Sequence, residues 1–405
     1  MPTDAQANRR RRIAVVTTSR ADFGHLIWPL RRIEENDGLE LKLIAIGAHL
    51  SPEFGHTVDA VTEAGFTVHE RVECLMSSDT DTGMAKTIGV AMLGLADVLD
   101  RLRPDLLLLI ADRYEMLAPA SVALALRIPV AHIEGGEISE GAVDDAVRNA
   151  LTKMAHLHFT PTEHARRRVI AMGEEPWRVH AVGAPSLDNL VCDTLPDTGA
   201  VAALLGGAVP EPLCVISVHP VTLLEDTLAE ADALFAALDA VDHALSFCFP
   251  NADAGSRALV ERARALCARR ANAHLFVNLD HRLYWALLRD AALLLGNSSS
   301  GIMETASLNL PTINIGMRQQ GRDRAANVVD VAADRDAIVN AVQRCLAPGY
   351  RAALGEVDNP YGDGRAGERI AAALASAPDR DTLLLKRALP LSGKAGWSEE
   401  AAARG

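Results

Sequence analysis

The 405-residue chain carries too little positive charge to favour an acidic partner. Its 40 Lys and Arg face 53 Asp and Glu, a formal net charge of −13 at pH 7. The summed field repels nucleic acid and anionic membrane, so any anionic substrate must be held by local basic groups. Cysteine is sparse: Cys74, Cys192, Cys214, Cys248, Cys267 and Cys345 form no CxxC and stand at no zinc-ligand spacing with histidine. That usage reads as a reducing cytoplasm and offers no metal site. Long apolar runs are missing as well. "RRRRIAVV" near the start has no apolar stretch of signal-peptide length, and no uncharged stretch is long enough to span a bilayer.

What is present is a chain 49% hydrophobic and longer than one core usually covers, which predicts two domains of roughly 150 to 200 residues each. Short apolar runs alternate with helical patterns: "RIAVVTTS" (12–19), "LELKLIAIG" (39–47), "DLLLLIAD" (105–112), "PVAHIE" (129–134) and "VHAVGA" (179–184). After a Gly- and Pro-rich stretch a second series follows, with "LCVISVH" (213–219), "ALSFCFP" (244–250), "HLFVN" (274–278), "AALLLGN" (291–297) and "PTINIG" (311–316). Strands apolar on both faces predict parallel sheets covered on two sides. The expected layout is a disordered leader (1–11), an N-terminal doubly wound domain (12–192), a linker (193–212), a second such domain (213–378) and a partly disordered extension (379–405). The extension docks on the first domain or on a partner subunit. Ligands in such sheets lie beyond the carboxyl ends of the strands.

The strand ends carry chemistry. Arg20 follows the first strand at a helix start, which suits a phosphate or an ion pair with Asp22. Asp112 ends an apolar strand, either facing the cleft or capping a helix. His219 ends the first strand of the second series, as an acid/base or phosphate-contacting group or as a capped core histidine. "GNSSSGIMETASL" runs from strand through Ser298 and Ser299 into a helix. It lacks the lysine of a Walker loop and the spacing of a dinucleotide loop, yet it suits a diphosphate, with Glu304 able to hold two ribose hydroxyls. Arg318, Arg322 and Arg324 on the next loop read as anion ligands.

"HIEGGEISEGAVDDAVRNA" (132–150) holds five carboxylates. Val143, Val147, Leu151 and Met154 read as a buried helical stripe, with Asp144 paired to Arg148 one turn away. Glu134 closes a strand before two glycines that let the chain turn. No histidine stands at ligand spacing, so proton transfer fits better than a metal cage. Glu137 and Glu140 read as solvated.

Together with "SRADFGHL", "GAHLSPEFGHT", "ADRYE", "VGAPSLDNL", "HPVT", "FPNADAGS", "GNSSSGIMETASLNLPTINIGMRQQGR" and "NPYGDG", this stretch resembles the hydrolysing UDP-N-acetylglucosamine 2-epimerases of sialic-acid biosynthesis, from about residue 12 to 375. The resemblance implies a GT-B-like α/β fold of two Rossmann-type domains. It also implies loss of UDP anti to the C2 proton, a 2-acetamidoglucal, and addition of water. By position it makes Asp112, Glu134, Asp144 and His219 proton-handling or sugar-contacting groups, with Asp112 and Glu134 the candidates for the base. Arg20, Ser298, Arg318 and Arg322 then surround the diphosphate and Glu304 meets the ribose. Arg113, Arg148, Asn251, Asp253, Ser299 and Gln320 complete the implied contacts. No cofactor or metal is implied; the partners are a nucleotide sugar and a second or further copies of the chain, as a homodimer or homotetramer.

One departure stands out: the common "RHA" reads Arg148-Asn149-Ala150 here. Competing readings are an epimerase of 2,4-diacetamido-trideoxyhexoses or GDP sugars, a non-hydrolysing epimerase, a retaining glycosyltransferase, and a binding module without turnover.

Overall fold

The computed structural model describes residues 9–76, 80–139, 143–221, 228–249, 256–277 and 279–387. Among the described residues, thirteen strands form two all-parallel sheets. In the first, β1 (Arg11–Thr17), β2 (Leu39–Ile46), β3 (Val68–Val72), β4 (Leu106–Ile110), β5 (Val130–Ile133), β6 (Leu157–Thr160) and β7 (Val179–Ala181) lie in the order β3-β2-β1-β4-β5-β6-β7. In the second, β8 (Leu213–Ser217), β9 (Ala244–Phe249), β10 (Ala273–Val277), β11 (Leu293–Gly296), β12 (Thr312–Ile315) and β13 (Val328–Val331) lie in the order β10-β9-β8-β11-β12-β13.

The central strands are buried on both faces, as in "LLLLI" of β4 and "LCVIS" of β8, because helices cover each sheet twice. Each order reverses beside its first strand, between β1 and β4 and between β8 and β11. The loops leaving those strands open into the space where doubly wound folds hold ligands. This is the two-domain architecture expected from the sequence.

Two expected boundaries move. The stretch 193–212 is more than a linker: Asp197 caps the helix Thr198–Leu204, whose Val201 packs with Leu213, Leu287 and Leu288 of the second domain. The second domain also ends before residue 378. The chain crosses back, with Ala184 N–H donating to the Tyr361 carbonyl and the Asp188 carboxylate accepting from Ala366 and Gly367. The helix Ala366–Ser376 then buries Ile370, Ala371 and Leu374 in the first domain's core. Arg178, buried, donates to the carbonyls of Leu383 and Leu385, and Lys386 donates to that of Ala155. The start of the C-terminal extension is thus part of the first domain, because those carbonyls would otherwise stand unpaired at a helix end.

Among the described residues one helix, Thr82–Leu102, is long and apolar enough by composition to cross a membrane. Its Ala91, Leu95, Val98 and Leu99 pack into the first domain's core, as a layer helix of an α/β sheet does.

Candidate active site

Two strand exits of the first domain are held in left-handed backbone. Ala111, after β4, has φ +57°, and Glu134, after β5, has φ +64°. Neither is glycine, and such conformations cost on the order of 1–3 kcal/mol each, so they persist where surrounding bonds impose them. Glu134 N–H donates to the Phe159 carbonyl, Ala111 N–H to that of Ile133, and His132 Nε2 lies 2.8 Å from the Ala111 carbonyl. Gly136 completes the turn at φ +80°, where a Cβ would fall 2.4 Å from the Ala165 carbonyl oxygen. The result aims Asp112 and Glu134 out of adjacent strands.

Glu134 is buried, and its Oε1 lies 3.1 Å from Nδ1 of His25, on the helix Arg20–Glu34. Burial opposes charge on Glu134, but His25, then Arg322 and His132, outweigh it and hold the carboxyl below its usual range. Burial likewise opposes charge on His25, and Glu134, Glu304 and Asp22 outweigh it, raising the imidazole to about 9. Glu304 comes from the second domain. Burial raises its carboxyl, only partly offset by His25 and by the hydrogen bond from Ser300 Oγ at 2.7 Å.

Asp112 has a different partner. Arg148, almost fully buried, makes a close ion pair with it and donates to Ser139 Oγ at 3.1 Å. The pairing of Arg148 with Asp144 expected from helical spacing is therefore corrected. The helix Asp144–Met154 turns Val147, Arg148, Leu151 and Thr152 inward, which carries Arg148 toward β4, and Val143 is exposed. Asp144 stands half-buried as the first residue of that helix. Asp145 accepts from Ser139 N–H and Asn149 Nδ2 at 2.9 and 3.0 Å, so it pins the loop.

In the second domain Asn297 is the hub. Its side chain accepts from His219 N–H at 2.7 Å and donates to the His219 carbonyl at 2.9 Å, while its own carbonyl receives Arg318 and Gln319. Gly296 before it sits at φ +141° and packs so close that a Cβ would meet the Ser217 carbonyl at 1.8 Å. Burial, and then Arg318, push the His219 imidazole down to about 3, so it works as a neutral ring. Ser298 and Ser299 lie in the turn that follows. The helix they enter spans only Ser300–Met303, so an anion there would be met by loop N–H groups and hydroxyls more than by a long helix dipole.

Arg322 reaches across the cleft, donating to the Ile138 carbonyl and Ser139 Oγ and standing 3.7 Å from Glu137. Glu137 is buried and takes the Tyr361 hydroxyl at 3.3 Å, which overturns its reading as solvated. Arg20 spans to Asp280 at 3.8 Å, and Arg113 turns back to the buried Glu115. Gln320 is exposed and Gln319 is the buried neighbour. Arg324 bonds Asp330 and the carbonyls of Gln319 and Arg322, bracing its own loop. Asn251, Asp253 and Glu140 lie outside the described residues. Among the described residues no group of three or more His, Cys, Asp or Glu side chains is placed to hold a metal ion.

The sequence reading missed His25, Asn297, Glu137 and Tyr361. His25 carried a signal, five residues after Arg20 within "SRADFGHL", but helical spacing does not say which side of the cleft it meets.

Two doubly wound sheets with carboxylates at the strand exits of one and a Gly- and Ser-rich loop at those of the other have the GT-B-like architecture of a two-domain enzyme. Residues 31–375 match the UDP-N-acetylglucosamine 2-epimerase family. A GDP/UDP-N,N'-diacetylbacillosamine 2-epimerase (hydrolyzing) of Campylobacter jejuni is 35% identical over 79% of this chain and 84% of its own. A UDP-N,N'-diacetylbacillosamine 2-epimerase (hydrolyzing) of Legionella pneumophila is 33% identical over 93% of this chain and 98% of its own. The solved UDP-GlcNAc 2-epimerase from Neisseria meningitidis bound to UDP-GlcNAc shares the fold, with a TM-score of 0.75 at 17% identity over 90% of this chain and 99% of its own. The chain belongs to the UDP-N-acetylglucosamine 2-epimerase family, on its hydrolysing branch.

Proposed function

We propose that this enzyme converts a UDP-activated 2-acetamido sugar, UDP-N-acetylglucosamine or a close relative, and water to the free 2-epimer and UDP. The observation that carries the reading is the pairing of an ionised Glu134 on one lip with the Asn297-organised loop of His219, Ser298 and Arg318 on the other. Glu134 takes the C2 proton, the C1–O bond to UDP breaks with its electron pair leaving on the diphosphate, and the C1=C2 bond of a 2-acetamidoglucal forms. Water then delivers hydroxyl to C1 while a proton returns to C2 on the opposite face. Asp112, fixed by Arg148, contacts the sugar and supports this proton traffic. Arg20, Arg318 and Arg322 neutralise the departing diphosphate and Glu304 holds the ribose.

Glu134 is favoured as base because it is ionised beside a group that can itself titrate, whereas Asp112 is locked to an arginine. A second reading, a 2,4-diacetamido-trideoxyhexose substrate for legionaminic-type sugars, is favoured by the names of the 35% and 33% identical relatives. Asn149, where relatives resembling this chain carry histidine, belongs to the same specificity question. Self-association in the cytoplasm fits the exposed Val90 and Leu93 on the helix Asp81–Leu102 and the exposed Leu124 nearby.

The test is incubation in D2O with each nucleotide sugar in parallel, followed by NMR. Release of UDP with a product deuterated at C2 is expected. Product without C2 deuterium, or no UDP from any N-acetylhexosamine nucleotide, refutes elimination.

A further inference from the structure

His25 lies at the meeting point of the two domains. Its Nδ1 is 3.1 Å from Glu134 Oε1, and Glu304 of the second domain faces the same ring. The side chain is about a third open to the cleft, at 31%. Its backbone is placed by two devices. Asn189 Nδ2 donates to the carbonyl of Gly24 at 3.1 Å, and Pro29, one turn on, has no N–H to return to the His25 carbonyl. That helix is pressed onto the recrossing chain, since a Cβ on Gly367 would meet Pro29 and Trp28 backbone at 2.9 Å. The ring is thus paired with one buried carboxylate, Glu134, and lies in the field of a second, Glu304, from the opposite domain.

We propose that His25 is a positioning residue for the epimerisation: as an imidazolium it keeps Glu134 ionised and aimed at the sugar C2, and it ties that carboxylate to Glu304 on the nucleotide side. The inference rests on the reading of Glu134 as the base. The groups facing His25 support a charged ring: Glu134 after β5, Glu304 after the Ser300–Met303 helix, and Asp22 on its own helix. Those facing Glu134 besides His25 are Arg322 from the second domain and His132 on β5. A neutral residue at position 25 leaves a buried carboxylate with only Arg322, beyond ion-pair distance, as a cation, because burial pushes the His132 imidazole down to about 4.

An opposite charge at this range moves a carboxyl by roughly 1–3 pH units. The acid limb of kcat/KM reports ionisation in the free enzyme. In His25→Ala that limb is therefore expected about 1–3 units higher, with about tenfold lower kcat/KM per unit at pH values below it. His25→Lys, which restores a cation, is expected to bring the limb back and to extend activity to higher pH. In wild-type enzyme, NMR titration of the His25 ring is expected to give a value near 9, falling toward the ordinary histidine range in Glu134→Gln. An unmoved acid limb in His25→Ala, activity lost at all pH in both variants, or an ordinary NMR value for wild-type His25 overturns the proposal. Turnover by Glu134→Gln overturns the base assignment instead, and the wild-type NMR value still decides whether the pair exists.

Discussion

Replacing Asn297 with alanine removes a side chain that acts as a surrogate peptide. Its Oδ1 and Nδ2 pair with the N–H and carbonyl of His219 at 2.7 and 2.9 Å, and the residue is 1% exposed. The substitution leaves two backbone groups of a half-buried residue without partners. Each costs about 1–3 kcal/mol when unsatisfied; partial exposure of His219 favours the lower part, so a loss of about 2–4 kcal/mol is expected. The main-chain carbonyl of Asn297 survives and still receives Arg318 and Gln319, so the 316–320 loop keeps one anchor while β8 loses its own. UDP affinity should fall about tenfold or more, since each 1.4 kcal/mol of misplacement at the diphosphate loop is a factor of ten. Asn297→Asp keeps the acceptor but sets a second oxygen against the His219 carbonyl and beside Glu230, and should be no better. Calorimetric UDP titration with thermal unfolding measures both effects. Wild-type stability and wild-type UDP affinity in Asn297→Ala would refute the view that this side chain organises the nucleotide lip.

Gly136→Ala places a Cβ 2.4 Å from a backbone oxygen at φ +80°; a loss of about 3 kcal/mol or more is expected from left-handed strain plus the clash, with thermal melting as the check. Arg148→Met strands Asp112 in a part-buried site and should cost about 3–5 kcal/mol, whereas the double variant Arg148→Met/Asp112→Leu should recover much of the stability but not turnover. Leu93→Asp should shift the protein toward monomers in light scattering after size-exclusion chromatography, and an unchanged mass would remove the exposed helix face from consideration. Arg178→Ala should detach residues 380–387 and make them cleavable by limited proteolysis with the second domain unaffected.

The doubly wound plan was legible because the central strands are apolar on both faces, a pattern that few other folds require. β3 and β13 escaped because "VHERV" and "VVDV" are sheet edges that carry charged residues and bury only Val72 fully between them. β6 escaped because four residues, "LHFT", bury a histidine that composition counts as polar. The Gly- and Pro-rich look of 193–212 hid a one-helix contribution to the second core. Arg148 was misplaced for a physical reason: spacing along a helix ranks a neighbouring acid as its partner, but the inward face of the helix carries Arg148 to the part-buried Asp112, which is remote in sequence. Likewise Gln319 and Gln320 are indistinguishable until the loop's packing decides which one faces Asn297.

The two carboxylates at the first lip differ in the kind of cation each is given, and that difference supports the roles proposed for them. An arginine does not release its proton in a protein, so Asp112 is held in one direction by a permanent charge. A histidine titrates, so the charge next to Glu134 can follow the chemistry: when Glu134 takes the C2 proton, its attraction to His25 weakens and the ring is free to give up its own proton. A base must be able to change charge without stranding its partner, and of the two pairs only Glu134 with His25 meets that condition. Asp112 with Arg148 meets the opposite one, a fixed dipole against which a neutral, polar sugar can be oriented. The left-handed backbone at Ala111 and Glu134 sets the exits of two neighbouring strands, so in the proposed reaction Asp112 would orient the sugar ring and Glu134 would take its proton, with the loop built on Asn297 proposed to hold the leaving group.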